Sequence, residues 1–187
     1  MQIPFGEWLP DQPEHGKQGA NVATNVYYAL NSYKRFPSLT SYSSNNIGAD
    51  ARGGGSFRDN AGNVFNFVAK NTDIYQLASG AFTSRKGSLT GTNTDYWTFT
   101  QFGNYIIASN GVDAPQYYLM GTSTNFANLS AIATSGSVPT FRVSGVVRDF
   151  LITGNQPTNQ NRIQWTGIND IATWESGTKQ ADQQDLP

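Results

Sequence analysis

His15 is the only histidine in this 187-residue chain, and cysteine is absent. A Ser–His–Asp arrangement would therefore have to run through His15, and a histidine-rich or thiolate metal cluster has no ligands to form from. His15 lies in the polar run Pro13-Glu14-His15-Gly16-Lys17 and reads as a solvated loop residue. Ten Asp and three Glu are scattered, without the close pair at strand ends that glycoside hydrolysis uses. Asp182 and Asp185 fall in a glutamine-rich stretch and read as turn or edge residues. Gly53-Gly54-Gly55 invites a phosphate loop, but no Lys-Ser/Thr follows and no helix is expected behind it. Asp59-Asn60-Ala61-Gly62-Asn63 lacks the ligand spacing and terminal Glu of a calcium loop. No catalytic residue, cofactor site or metal site is assigned from these residues, and the expectation is a non-enzyme.

The aromatics are the remaining chemical resource. Trp97, Tyr105, Tyr117, Tyr118 and Trp165 would suit a sugar-binding platform if exposed. They recur at equivalent places within expected strands, which fits core packing better. Arg58-Asp59-Asn60-Ala61-Gly62-Asn63-Val64-Phe65 resembles loosely the Asp-box turn of sialidase-type propellers. It lacks the leading Ser and has Phe65 in place of Trp. That turn is structural, because Asp bonds its own backbone and Gly takes a positive φ.

Composition says which elements must position these residues. Charged residues are 13 % of the chain, about half the usual share. Hydrophobic residues are 37 % and aromatics 13 %, so the core should rest on Phe, Tyr and Trp. Abundant Gly, Asn, Ser and Thr disfavour helices, whereas Tyr, Phe, Trp and Thr favour strands. The fold class expected is all-β. A net charge of −1 leaves no overall footprint for nucleic acid or acidic membranes, and the pairs Lys34-Arg35 and Arg85-Lys86 read as solvated edges. The N-terminus has neither a basic region nor an apolar run, so no signal peptide is expected, and no apolar stretch is long enough for a membrane span.

Residues 1–45 read as an extended N-terminal arm, punctuated by Pro4, Pro10, Pro13 and Pro37. Asn21–Asn31, the best helical stretch, lacks helix-forming charges and reads as extended. Phe5, Trp8 and Leu9 either dock the arm onto another molecule or fold back onto their own domain. Residues 46–187 read as a β-propeller-like domain of about three blade-like hairpin units. The hairpins are 62–77, 103–119 and 148–165, each a strand, a polar turn and a partner strand carrying an aromatic. Asn63 and Asn104 lie 41 residues apart, and Asn104 and Asp149 lie 45 apart, a spacing of propeller blades. Trp97–Gln101 and Phe126–Leu129 supply outer strands for the second unit, and Val143, Val146 and Val147 begin the third. Three blades are fewer than a closed propeller needs, so the expectation is the N-terminal portion of a longer propeller.

Several runs together resemble a family of tail hub or nozzle (tail tube) proteins from short-tailed bacteriophages and related prophages. They are Phe5-Gly6-Glu7-Trp8-Leu9-Pro10-Asp11, Tyr33-Lys34-Arg35-Phe36-Pro37-Ser38-Leu39, Arg58-Asp59-x-x-Gly62-Asn63-Val64-Phe65, Trp97-Thr98-Phe99-Thr100-Gln101-Phe102-Gly103-Asn104, Asp113-Ala114-Pro115-Gln116, Val147-Arg148-Asp149-Phe150, Arg162-Ile163-Gln164-Trp165-Thr166-Gly167-Ile168-Asn169-Asp170 and Gln184-Asp185-Leu186-Pro187. The resemblance implies a structural virion protein, found in the tail and in the host cytoplasm during assembly. It implies a homo-oligomeric ring, a hexamer, below the portal and adaptor and near tail fibre proteins. Exiting genomic DNA would touch its wall transiently and without sequence preference, and no membrane is involved. Phe5, Trp8, Leu9, Pro10 and Phe36 are the candidate subunit-interface residues. The alternative is a carbohydrate- or receptor-binding β-propeller of a phage tail or cell surface, and a sialidase-type glycosidase stands behind both.

Overall fold

The computed structural model describes residues 8, 9, 11, 15, 22, 24–29 and 32–187. The chain divides into two compact units, Met1–Ser41 and Tyr42–Pro187. The described residues are all-β, with no α-helix and a single 3₁₀ turn at Leu129–Ala131.

In the first unit, β1 (Val26–Ala29) and β2 (Ser32–Arg35) pair as an antiparallel hairpin with Val26 opposite Arg35. The amide of Phe36 extends the pairing to the carbonyl of Asn25, at 2.7 Å. Of Asn21–Asn31, read as extended, Val26–Ala29 form β1, and residues 21, 23, 30 and 31 lie outside the described residues. The arm expected over 1–45 thus contains a paired ribbon rather than single extended chain throughout.

The second unit is built from three four-stranded antiparallel meanders. The first comprises β3 (Gly53–Arg58), β4 (Val64–Ala69), β5 (Ile74–Ala78) and β6 (Ala81–Lys86). The second comprises β7 (Thr98–Phe102), β8 (Tyr105–Ser109), β9 (Gln116–Leu119) and the short β10 (Ala127–Asn128). The third comprises β11 (Val143–Val147), β12 (Phe150–Gly154), β13 (Arg162–Trp165) and β14 (Asp182–Asp185). All three expected hairpins are the central pairs of these sheets. The first strands start at Gly53, Thr98 and Val143, 45 residues apart each time.

Tight turns explain the regularity. Ser79 and Gly80 both take positive φ, 50° and 75°, as the two-residue connection between paired Ala78 and Ala81 requires. Two strands of the first sheet were not marked in the sequence. β3 opens on the three glycines, and a Cβ on Gly53 would sit 2.2 Å from the carbonyl oxygen of Trp97. Glycine is there because two backbones meet, so the run serves strand packing. β6 is the other, a polar strand whose partner is fixed by register rather than by apolar alternation.

The sheets stack in chain order. β7 lies beside both β3 and β11, so the first strands stand side by side as in successive propeller blades. One core lies between the first two sheets, from Phe67, Ala69 and Ile74 on one side and Trp97, Ile106, Ala108 and Tyr118 on the other, with Phe126. Phe67, Tyr118 and Phe126 meet with ring centroids 5.0–5.2 Å apart. A second core lies between the second and third sheets, from Phe102, Ile107, Leu129, Phe141, Leu151, Ile171 and Trp174. Adjacent residues of β8 therefore serve opposite cores, since successive side chains of a strand point to opposite faces.

Polar bonds lock the same seams. Gln101 donates from Nε2 to the carbonyl of Arg58 at 2.8 Å, and Asn104 accepts the amide of Asn60 at 3.1 Å. Across the next seam the Thr98 hydroxyl donates to the carbonyl of Arg142 at 2.9 Å, and that of Thr100 to Ser144 at 3.0 Å.

Candidate functional site

The carboxylates that chemistry would draw on are held by their own turns. Asp59 Oδ1 accepts the amides of Ala61 at 2.9 Å and Asn63 at 2.8 Å, while Oδ2 accepts the Asn63 side-chain amide at 2.8 Å. Gly62 takes a φ of 89° to close that turn. The Asn63 side-chain bond leads in lowering the Asp59 pKa below the ordinary carboxylate value. Asp170 accepts the amide of Ala172 at 2.9 Å and the Thr173 hydroxyl at 3.0 Å, and Lys179 also donates to it. Its pKa is lowered, chiefly by Lys179. Asp95 accepts the amide and hydroxyl of Thr92 at 2.8 Å each, lies 3.5 Å from the Arg142 guanidinium, and is lowered first by the Thr92 amide.

Asp182 and Asp185 lie on the edge strand β14, a finer placement than turn or edge. Asp185 takes two bonds from Arg162, at 2.7 and 2.9 Å, and Asp182 accepts the Ser176 hydroxyl. Arg162 lowers the pKa of Asp185, and Ser176 that of Asp182. A general acid working at neutral pH needs the opposite shift. These five carboxylates are arranged to stay ionised and to hold turns and edges.

The aromatics divide in a similar way. Trp97 and Tyr118 are buried in the first core. Tyr105 and Tyr117 are half-buried against the second, with ring centroids 6.2 Å apart. Trp165 is half-buried, and its Nε1 donates to the carbonyl of Gln180 at 2.8 Å. Burial removes Trp97 and Tyr118 from any sugar platform.

Of the candidate interface residues, Phe5 and Pro10 lie outside the described residues. Trp8 is 54 % exposed, Phe36 is 63 % exposed, and Leu9 is half-buried. His15 is exposed in a turn. No helix among the described residues is long and apolar enough to cross a membrane.

A further surface was not marked in the sequence. Register puts Val143, Gly145 and Val147 of β11 on one face with Phe150, Ile152 and Gly154 of β12 and Ile163 and Trp165 of β13. The opposite face carries Leu151 and Thr153 and is buried against the second sheet. On the outer face Val143 is 50 % and Val147 56 % exposed. A shallow groove of about 440 Å³ runs over it, lined by Val143, Gly145, Val147, Ile152, Ile163 and Leu186. The signal lay in the valines of β11, but which of them face outward follows only from the pairing.

Compared with known proteins, the chain matches no family model and no curated protein sequence.

Proposed function

We propose that the chain is a structural subunit of a bacteriophage tail, part of a nozzle or hub ring lining the DNA exit channel below the portal and adaptor. The observation that carries this reading is how the chemically able residues are used. The carboxylates Asp59, Asp95 and Asp170 are consumed by turns, and Trp97 and Tyr118 by the core, while an apolar face of the third sheet stays open within its own unit. Such a molecule is equipped to be built into something rather than to turn over a substrate.

Two further features support it. The run Trp97–Asn104, which carries much of the family resemblance, is the strand β7 with its turn, and Gln101 and Asn104 from that run tie the first two sheets together. A net charge of −1 suits a channel wall, because each cationic phosphate contact would add binding and friction to moving DNA.

Negative-stain electron microscopy of the purified chain tests the reading. Rings of about six copies around an open channel support it, since closed point-group symmetry is what ring subunits form. A dispersed monomer that binds cell-surface glycans would favour the receptor-binding alternative instead.

A further inference from the structure

We propose that the pocket between β6 and the loop before β10 binds a phosphate group, free or as a small monoester, through Arg85 and Lys86. The inference does not depend on the tail-ring reading.

The placement of charge points to this pocket. Among the described residues six cations are half-buried: Arg52, Lys70, Arg85, Lys86, Arg142 and Arg162. Four of them lie within 4 Å of a carboxylate, on Asp50, Asp73, Asp95 and Asp185 respectively. Arg85 and Lys86 have no such partner among the described residues. Asp73 approaches the neighbouring Gly87, but Lys70 holds it at 3.1 Å and the Thr72 hydroxyl at 2.6 Å. A cation withdrawn from water without a counter-charge costs stability. Two adjacent ones suit an anion that the chain does not itself supply.

The backbone brings the two cations together. β6 pairs with β5 so that Ile74 lies opposite Lys86 and Tyr75 opposite Ser84. Arg85 is therefore the extra residue of a β-bulge. Neighbours in a regular strand point to opposite faces, whereas a bulge re-aims a side chain. Here Ser84, Arg85, Lys86 and Gly87 all line one pocket of about 320 Å³, with Asn125 and Phe126. The carbonyl of Arg85 accepts the amide of Phe126 at 2.8 Å, which ties the loop of the second sheet to the bulge.

Arg85 is also held in position. Its Nε donates at 2.9 Å to Oε1 of Gln76, a side chain only 8 % exposed. That bond fixes the guanidinium and leaves both terminal nitrogens without a hydrogen bond to a described residue. The pocket thus presents an oriented guanidinium, an ammonium and the Asn125 amide, with no carboxylate in its lining. A guanidinium fork matches two oxygens of a phosphate. Nucleic-acid backbones are bound by cations spread along the strand. Two cations converging on one pocket instead match a single phosphate group, which carries about −1.5 to −2 charges at neutral pH.

Calorimetric titration of the full chain with inorganic phosphate, at ionic strength held constant with chloride, tests the site. Saturable binding is expected. Arg85→Gln and Lys86→Gln should each weaken it about tenfold, as for losing one charged hydrogen bond. Arg58→Gln, which removes an exposed cation outside the pocket, should leave it unchanged. Circular dichroism checks folding, and Lys86→Gln carries the test if loss of the Gln76 bond unfolds the Arg85 variant. Titration with glycerol phosphate separates the two sources. Binding as tight as that of phosphate supports a monoester, and weaker binding supports the free ion. The proposal is overturned if nothing saturates by about 50 mM phosphate, well above a weak affinity of about 1 mM. It is overturned equally if both pocket variants bind as the wild type does. Tighter binding of a duplex DNA without terminal phosphates, lost in the same variants, would also overturn it and make the pocket a nucleic-acid contact.

Discussion

The second and third sheets have the same four-strand order, yet they differ in what covers them. In β8 of the second sheet, Ile106 and Ile107 are both 0 % exposed, one in each core. In β12 of the third, Leu151 is 0 % exposed while its neighbour Ile152 lies on the open face and is only half-buried. A strand covered on both sides must be apolar at every position, whereas one covered on a single side tolerates alternation. The third sheet nevertheless stays apolar on the side that no other element of the second unit covers. That mismatch between apolar composition and coverage is the feature from which an assembly role is argued.

Truncation of these residues should break or sharpen the contrast most strongly. Ile106→Ala, Ile107→Ala and Leu151→Ala should each cost about 2–5 kcal/mol in urea unfolding, the range for emptying a closed core site. Ile152→Ala should cost distinctly less in dilute solution. Its cost should grow with protein concentration if another copy covers the face. Equal, concentration-independent losses at Leu151 and Ile152 would erase the distinction between the two faces.

Gly53→Ala comes next. Its Cβ would press on the backbone carbonyl of Trp97, which cannot rotate away, so about 1–3 kcal/mol should be lost, as for overpacking. A neutral result would show that the seam between the first two sheets is looser than described.

Thr100→Val removes a hydroxyl that bonds across the second seam, to Ser144, and about 1 kcal/mol should go with it. The same substitution should leave the first seam intact. Differential scanning calorimetry reads the loss as a small fall in Tm, and no fall would mean water replaces the bond freely.

The smallest effect is the acid response. Asp95 and Asp170 have folded pKa values lowered below the ordinary carboxylate value, so their ionised forms favour the fold. The stability they contribute is complete above the unfolded pKa of about 3.9 and is lost as pH falls through the lower folded values. Urea midpoints should therefore drop below about pH 4. Asp170→Asn should show a shallower drop than wild type there, with the third sheet's connection around Trp174 loosening first. An unchanged acid profile in the variant would remove Asp170 from that account.

Much of the fold was legible because hairpins announce themselves twice, by alternation and by turn chemistry. Val64–Ala69, Tyr105–Ser109 and Phe150–Gly154 carry apolar residues at strand spacing beside Gly, Asn and Asp. β3 was not legible, because Gly53-Gly54-Gly55 offers no side-chain pattern and its strand state comes from pairing with β4. β14 reads Asp-Gln-Gln-Asp and becomes a strand only by pairing with β13, with Arg162 opposite Asp185. Trp174 is drawn into the second core by the Asp170 turn, in which its Nε1 donates to the carbonyl of Ile171 at 2.9 Å. The interface residues first marked were those of the proline-punctuated arm. The open sheet face escaped notice, because exposure of one side of a strand depends on packing and not on composition.

Hydrogen exchange of the purified chain at two concentrations tests the assembly claim most directly. At high concentration, peptides spanning Val143–Gly154 should be protected and should lose that protection on dilution, while Tyr105–Ser109 exchanges equally slowly in both samples. Exchange at Val143–Gly154 that is independent of concentration, in a chain that keeps the mass of a single copy throughout, would contradict the claim that this face exists to be covered.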